Sequence, residues 1–338
     1  MAANSRPSLD MHVLLFLLGA FLILFGGVDA LWTTLWVDGN AGPLTRRHNS
    51  WMRRVILRVA GQRHRVLSMT GPIVLLTSVL VWAMIPWIGW VLLYSSDSQS
   101  LVQTHSGVPA DLADRVYFTG YTMFTLGNGD FTPRGSFWEI ATAWASLNGL
   151  FMLTLAVTYL LAIIEAVVAK RSFASQVWTL GHNAEEFILH TWNGHGFPAV
   201  ELQIVSLMEQ LQLVTEQHHA YPMLHFYHEA EKRQSVAYNL AVFSEVLLTF
   251  AHGVSEEVRP APSALVPSQR AIEEFLDTLR SAFVEPSDKR SDPPSLERLT
   301  AAGIPVVPEA EFEAAVHERR ERRQLLRGFL DSERRDWP

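Results

Sequence analysis

Apolar residues fill the first half of the chain in long runs and recur only at helical intervals in the second. Residues 11–36, MHVLLFLLGAFLILFGGVDALWTTLW, carry one charge, Asp29. A membrane helix needs about 20 mostly apolar residues, so this run can span. Residues 69–94 form a second run, closing on Trp87, Trp90 and Tyr94 as an interfacial aromatic belt would. Pro86 predicts a local bend within it. A third run begins near Phe137, reaches about Val168 and ends at Lys170-Arg171. Between the second and third lie a polar, acidic stretch (95–114, with Asp97, Asp111 and Asp114) and a short apolar one, Val116 to Leu126. The short one fits a helix that stops partway through a membrane. Beyond residue 171 the long runs cease. Ala184–Trp192, Val200–His218, Arg233–Ala251, Ser268–Phe283 and Glu309–Asp331 place apolar residues three and four apart, which predicts short helices. Pro260, Pro262, Pro267, Pro286, Pro293 and Pro294 mark the breaks. The fold class expected is an all-α membrane protein with three transmembrane helices, followed by an all-α soluble region.

Charge sharpens the division. The net charge of −7 conceals two opposite halves: residues 1–171 hold 12 Lys+Arg against 9 Asp+Glu, and residues 172–338 hold 15 against 25. A membrane part followed by an acidic soluble part fits that split, as do the 49% hydrophobic content and mean hydropathy of +0.12. With no cysteine, a disulfide framework, thiolate metal site or cysteine nucleophile is excluded. Residues 44–68 contain seven arginines and no acid, the largest positive cluster near any span, and so are expected on the cytoplasmic side. Trp51, Val55 and Val59 recur at helical spacing beside Met52 and Ile56, while Arg47, Arg54, Arg58 and Arg65 fall mostly on the other face. Such a basic amphipathic helix suits the interface of an anionic membrane. An ordinary topological signal is the alternative. For the first run the rival is a cleavable signal peptide, since Val28-Asp29-Ala30 loosely resembles a cleavage site; Arg6 offset by Asp10 argues against it.

The most distinctive stretch is 117–133, YFTGYTMFTLGNGDFTP. Its centre, Thr125-Leu126-Gly127-Asn128-Gly129-Asp130, carries glycines at alternate positions, which permit backbone angles that other residues resist. Successive carbonyls can then turn towards one axis. Non-helical backbone at membrane depth survives only where protein or a water-filled cavity satisfies it. The residues thus describe a re-entrant loop that offers oxygen ligands to a cation.

The stretch resembles the pore loop of the tetrameric potassium-channel superfamily, T-[VIL]-G-Y-G-D followed by a proline. Thr125, Leu126, Gly127, Gly129, Asp130 and Pro133 match; Asn128 departs, standing where the family has an aromatic. The resemblance covers about residues 69–171. It implies a two-transmembrane-plus-pore-loop unit with a re-entrant pore helix and filter. Potassium would be held by the carbonyl oxygens of Thr125, Leu126, Gly127 and Asn128, without an organic cofactor or catalytic residue. The chain has one such loop, so a ring of four implies a homotetramer. A filter reached from the inside requires a cytoplasmic segment before the second span, which places the N-terminus outside and the C-terminus in the cytoplasm. The expected setting is a bacterial plasma (inner) membrane. The domains expected are 1–43, an N-terminal transmembrane helix; 44–68, the basic helix; 69–171, the pore domain; and 172–338, a cytoplasmic regulatory region.

Behind the filter, Phe118 lacks a polar donor, but Tyr121 and Thr122 bring hydroxyls. The expected brace runs from one of them to Asn128 or Asp130, with Tyr121 to Asp130 the first choice. On the third span Gly149 resembles the family's inner-helix hinge, with close helix packing as its alternative. Leu150, Leu153, Val157, Leu161 and Glu165 share a face that would line the path, Leu161 being the apolar constriction. Glu165 would stand near the inner mouth, or pair with Lys170 or Arg171. No span carries arginines at every third position, so no voltage sensor of that kind is expected.

In the acidic half, no G-x-G-x-x-G unit, P-loop or H-E-x-x-H occurs. It holds His182, His190 and His195, then His218, His219, His225 and His228. His225 and His228, three apart on an expected helix in HFYHEAE, admit three readings: packed side chains, a proton sensor or a metal site. The last helix is expected as a solvated arm or a weak oligomerisation helix. Two functional alternatives to a potassium channel stand: a non-selective cation channel, and a membrane-anchored sensor whose pore conducts poorly. Nucleic acid is not an expected partner; the cell's anionic lipids are.

Overall fold

The computed structural model describes residues 9–36, 41–60, 68–281, 284–289 and 291–338. Among them, three helices are long and apolar enough to cross a membrane. They are α1 (Leu9–Leu35), α3 (Thr70–Ser95) and α5 (Ser136–Leu180), with α2 (Pro43–Ala60) after the first and the short helix α4 (Leu112–Met123) between the other two. The chain divides into two compact units: residues up to Val55 with Pro72–Ala162, and Ile56–Gly71 with Ile163–Pro338.

In the first unit, α1 and α3 meet through small residues, because apolar surface alone gives no drive for association in lipid and close packing must supply it. A Cβ on Gly19 would lie 2.6 Å from the Gly89 carbonyl oxygen, and one on Gly89 would lie 2.8 Å from Ile23. Gly26 meets Ile85 and Pro86 in the same way. The single charge of the first run is put to structural use. Asp29 is 1% exposed and accepts from the Leu44 N–H (2.8 Å), the Thr45 N–H (3.2 Å) and the Thr45 hydroxyl (2.6 Å). These belong to the first turn of α2, whose N–H groups have no helical acceptor and favour a negative charge. Thr45 also accepts from the Trp82 indole (2.9 Å), and Ser78 donates to Asn49 (3.0 Å), so α2 is pinned to α3. Trp51, Arg47, Arg54 and Arg58 remain exposed on α2; Arg65 lies outside the described residues, and so does the side chain of Val59.

Two short strands, β1 (Leu101–Gln103) and β2 (Phe131–Pro133), pair antiparallel with Leu101 opposite Pro133 and Gln103 opposite Phe131. The acidic stretch before α4 is therefore stitched to the chain that follows the loop after it. Asp111 and Asp114, read as loop acids, instead form a reciprocal capping box at the start of α4 (2.9 and 3.0 Å).

The second unit is a helical domain around Val236–His252, whose residues 236 to 250 are all buried. Phe187, Ile204, Phe243, Phe250, Phe275 and Leu326 lie at the centre of its core. Several expectations are corrected here. The helix of the third span does not stop near Val168 but continues to Leu180, because Phe173, Ala174 and Val177 carry its apolar stripe into this core. Pro262 starts a helix rather than breaking one, a position where its missing N–H costs nothing, and Pro267 gives up one bond inside it. The C-terminal segment is neither a solvated arm nor one helix. It forms Glu309–Glu318 and Arg320–Ser332, and the second buries Leu325, Leu326, Phe329 and Leu330. Arg323 there makes a bidentate pair with buried Glu245, both bonds 3.0 Å.

Candidate pore loop

The loop begins where α4 stops. The N–H groups of Phe124, Thr125 and Leu126 fold back onto the carbonyls of Gly120, Thr122 and Tyr121 (3.0, 3.2 and 2.8 Å), and then the helix is abandoned. Its partial negative end lies at the base of the loop, which favours a cation there. From this point positive φ recurs at every second residue: 58° at Thr125, 59° at Gly127 and 79° at Gly129. Alternating backbone sign turns successive carbonyls to the same side, which an ordinary strand, with carbonyls to both sides, does not do. Glycine adopts these angles freely. Thr125 does not: a β-branched residue at positive φ is strained, and such strain gathers at functional positions. Residues 124–130 are all exposed in a single chain.

Hydrogen bonds hold this shape from the rear. The Tyr117 hydroxyl donates to Asp130 Oδ2 (2.9 Å) and accepts from the Asn128 amide (2.6 Å). Thr104, just past β1, donates its hydroxyl to the Gly129 carbonyl (2.6 Å) and its N–H to the Asp130 carbonyl (3.0 Å). The expected Tyr121–Asp130 bond is not made. Tyr121 lies one helical turn deeper and donates to the Phe131 carbonyl instead (3.0 Å). Tyr117 and Thr104 were missed. Tyr117 lies four residues before Tyr121 on the same helix face, so periodicity could not separate them; Thr104 reaches the loop only through the strand pairing. Phe118 is buried and packs edge-on against Tyr94 (5.3 Å) and Tyr121 (5.1 Å). Thr122 is buried behind the base of the loop.

On α5, a Cβ at Gly149 would collide with the Met123 carbonyl, so glycine is demanded by the close approach of this helix to the end of α4. The helix is unbroken there. Leu150, Leu153, Val157 and Leu161 are exposed, as is Glu165. Lys170 and Arg171 are not partners of Glu165: their nitrogens lie 3.4 and 3.9 Å from the carboxylate of Glu229.

The histidines separate. His225 lies in a short 3-10 turn, Pro222–Phe226, and His228 beyond it, so the two do not share a helix face. Among the described residues no group of three or more His, Asp or Glu is placed to hold a metal, which removes the geometric basis for a metal site at HFYHEAE. His218 is buried 5.3 Å from the His225 ring. Burial, with the charges of His225 and Lys170, holds its pKa well below the usual histidine range, so it stays neutral where histidine ordinarily switches. His219 shares a hydrogen bond with Thr278 (2.9 Å).

The family model described as "Ion channel" matches residues 73–166. The chain is 39% identical over 320 residues to the "Uncharacterized membrane protein YdjJ" of Bacillus subtilis (strain 168), an alignment that covers 95% of this chain and 94% of the relative. No solved structure matches the chain.

Proposed function

We propose, on the premise that the chain belongs to the family of the Bacillus subtilis membrane protein YdjJ and matches the ion-channel family model over residues 73–166, that it is a potassium-selective channel formed by four copies. The observation that carries this reading is the alternation of positive φ at Thr125, Gly127 and Gly129 in a loop exposed along its length. Thr104 satisfies the carbonyls of Gly129 and Asp130, but among the described residues none donates to those of residues 125–128, and at membrane depth they need neighbouring protein or ions and water. A ring of four loops supplies both. Carbonyl oxygens of Thr125, Leu126, Gly127 and Asn128 replace the water of a dehydrated cation, with the Thr125 hydroxyl at the inner end. Passage is passive and uses no catalytic residue.

In this account Gly149 is a hinge as well as a packing residue, and Leu153, Val157 and Leu161 line the path to Glu165 at the inner mouth. Arg47, Arg54 and Arg58 engage anionic lipid beside Trp51. The N-terminus is outside and the C-terminal domain cytoplasmic. Asn128 favours a second reading, a non-selective cation channel, because an amide cannot supply the packing of the family's aromatic. Purified protein in liposomes tests the class: potassium flux blocked by barium is expected, and absence of flux under all conditions contradicts it. Native mass measurement showing only dimers or trimers contradicts the assembly.

A further inference from the structure

After the helix Val200–Ala220 the chain crosses residues 222–229 as a 3-10 turn and irregular backbone. Tyr227 in this segment touches two helices that lead into the membrane. A Cβ on Gly71, at the start of α3, would lie 2.5 Å from the Tyr227 ring. The Tyr227 carbonyl accepts from Lys170 Nζ of α5 at 2.6 Å. Two residues on, Glu229 is 4% exposed and Lys170 3%. Glu229 Oε2 lies 3.4 Å from Lys170 Nζ and Oε1 lies 3.9 Å from Arg171 Nε, yet neither carboxylate oxygen accepts a hydrogen bond. Its backbone carbonyl is held by Arg335 at 2.6 Å, and Arg335 also lies 3.6 Å from Glu333.

We propose that residues 223–229 are a proton-sensitive clamp that ties the start of α3 to α5 and is released when Glu229 loses its proton. The proposal rests on the channel reading for its consequence, a change in conduction, but not for its existence. A buried carboxylate that accepts no hydrogen bond is held at a cost, offset only by its cations. Every group facing Glu229 bears on the balance. Burial raises its pKa above the usual glutamate value; Lys170 and Arg171 of α5 and His228 of its own segment oppose the rise, and Glu333 adds to it. Around Lys170 stand His218 and the Tyr227 carbonyl. Loss of the proton leaves a buried carboxylate whose oxygens accept no hydrogen bond, and the segment that carries it must then move towards water, letting go of α5.

The sign follows from the raised pKa. The folded unit favours protonated Glu229 more than the unfolded chain does. The stability this group contributes is therefore full below the unfolded pKa and lost as pH rises through the folded one. The clamp is closed below that interval and released as pH rises through it.

The test uses the full chain in liposomes, with cation flux followed from about pH 8 to about pH 5. Hydrogen exchange over residues 223–231 is measured alongside, corrected for intrinsic pH dependence. Wild type should change its flux across the titration and exchange about tenfold faster at the alkaline end. Glu229→Gln should show the acid behaviour at every pH, and Glu229→Asp should restore a response. Gly71→Ala, which drives Tyr227 aside, should loosen the same segment without altering any charge, and serves if Glu229→Gln does not fold. A wild-type pH response in Glu229→Gln, or exchange that does not change with pH, overturns the clamp. Exchange that responds to pH in a protein that never conducts upholds the clamp and overturns the channel reading.

Discussion

The loop of residues 124–130 and the C-terminal domain treat polar groups in opposite ways. In the domain, Arg323 and Glu245 are buried together with two matched bonds, and Asp331 collects Lys289 (2.9 Å) and Ser287 (2.7 Å). In the loop, by contrast, every residue from Phe124 to Asp130 is exposed. There the hydrogen bonds are spent on posture: Tyr117, Thr104 and Tyr121 hold the loop from behind and from its outer end. The strain differs too, since positive φ on a β-branched residue occurs at Thr125. Stability is concentrated where groups are matched, and chemistry where they are left available.

The comparison breaks first if glycine proves dispensable in the loop. Gly127→Ala forces an L side chain into the left-handed region at a cost of roughly 1–2 kcal/mol in each chain. It should abolish flux, while the thermal transition of the C-terminal domain stays where it was; retained flux would show that the loop's backbone is not the conducting element. Next in size is the reverse dissociation. Glu245→Ala leaves the Arg323 charge buried and unpaired and should destabilise the domain by about 3–5 kcal/mol, read by denaturant unfolding. Replacing both partners with apolar residues of similar volume should recover most of that loss. If the single and double changes cost the same, the pair is not what orders the domain.

A smaller effect separates the two tyrosines. Tyr117→Phe removes bonds to both Asn128 and Asp130, each net bond being worth about 0.5–1.5 kcal/mol. It should reduce selectivity or hasten inactivation more than Tyr121→Phe, which loses only the Phe131 carbonyl. Equal effects would mean that the brace is not centred on Tyr117. The smallest effect is a pH dependence of the domain. Burial works to raise the Asp331 pKa, but hydrogen bonds from Lys289 and Ser287 and the charge of Arg327 outweigh it and leave it lowered. Its contribution to stability is present above the unfolded value of about 3.8 and is lost as pH falls through the lowered one. Asp331→Asn should flatten that slope slightly in acid titration.

What could be read from the residues was what they state locally. Alternate glycines and a threonine specify a backbone shape within six positions, and long apolar runs specify spans. What could not be read depended on contacts distant in sequence. Lys170 looked like the charged end of a span, because its buried partner Glu229 is distant in sequence, in a stretch expected to be helical that runs instead through a 3-10 turn and irregular backbone. Strands of three residues are too short for alternation to show, so the Thr104 contact was invisible. The last helix looked solvated because charged residues surround the stripe Leu325, Leu326, Phe329 and Leu330, which is only two turns long. Asn128 was legible as a departure, and its partner Tyr117 was not.

In the proposed channel the carbonyls of residues 125 to 128 select potassium. The most direct test is the reversal potential of purified protein in a bilayer with potassium on one side and sodium on the other. A potential displaced far towards the potassium equilibrium value, and displaced less in Tyr117→Phe, is the result expected. A potential near zero in the unaltered protein would contradict the claim and establish a non-selective pore.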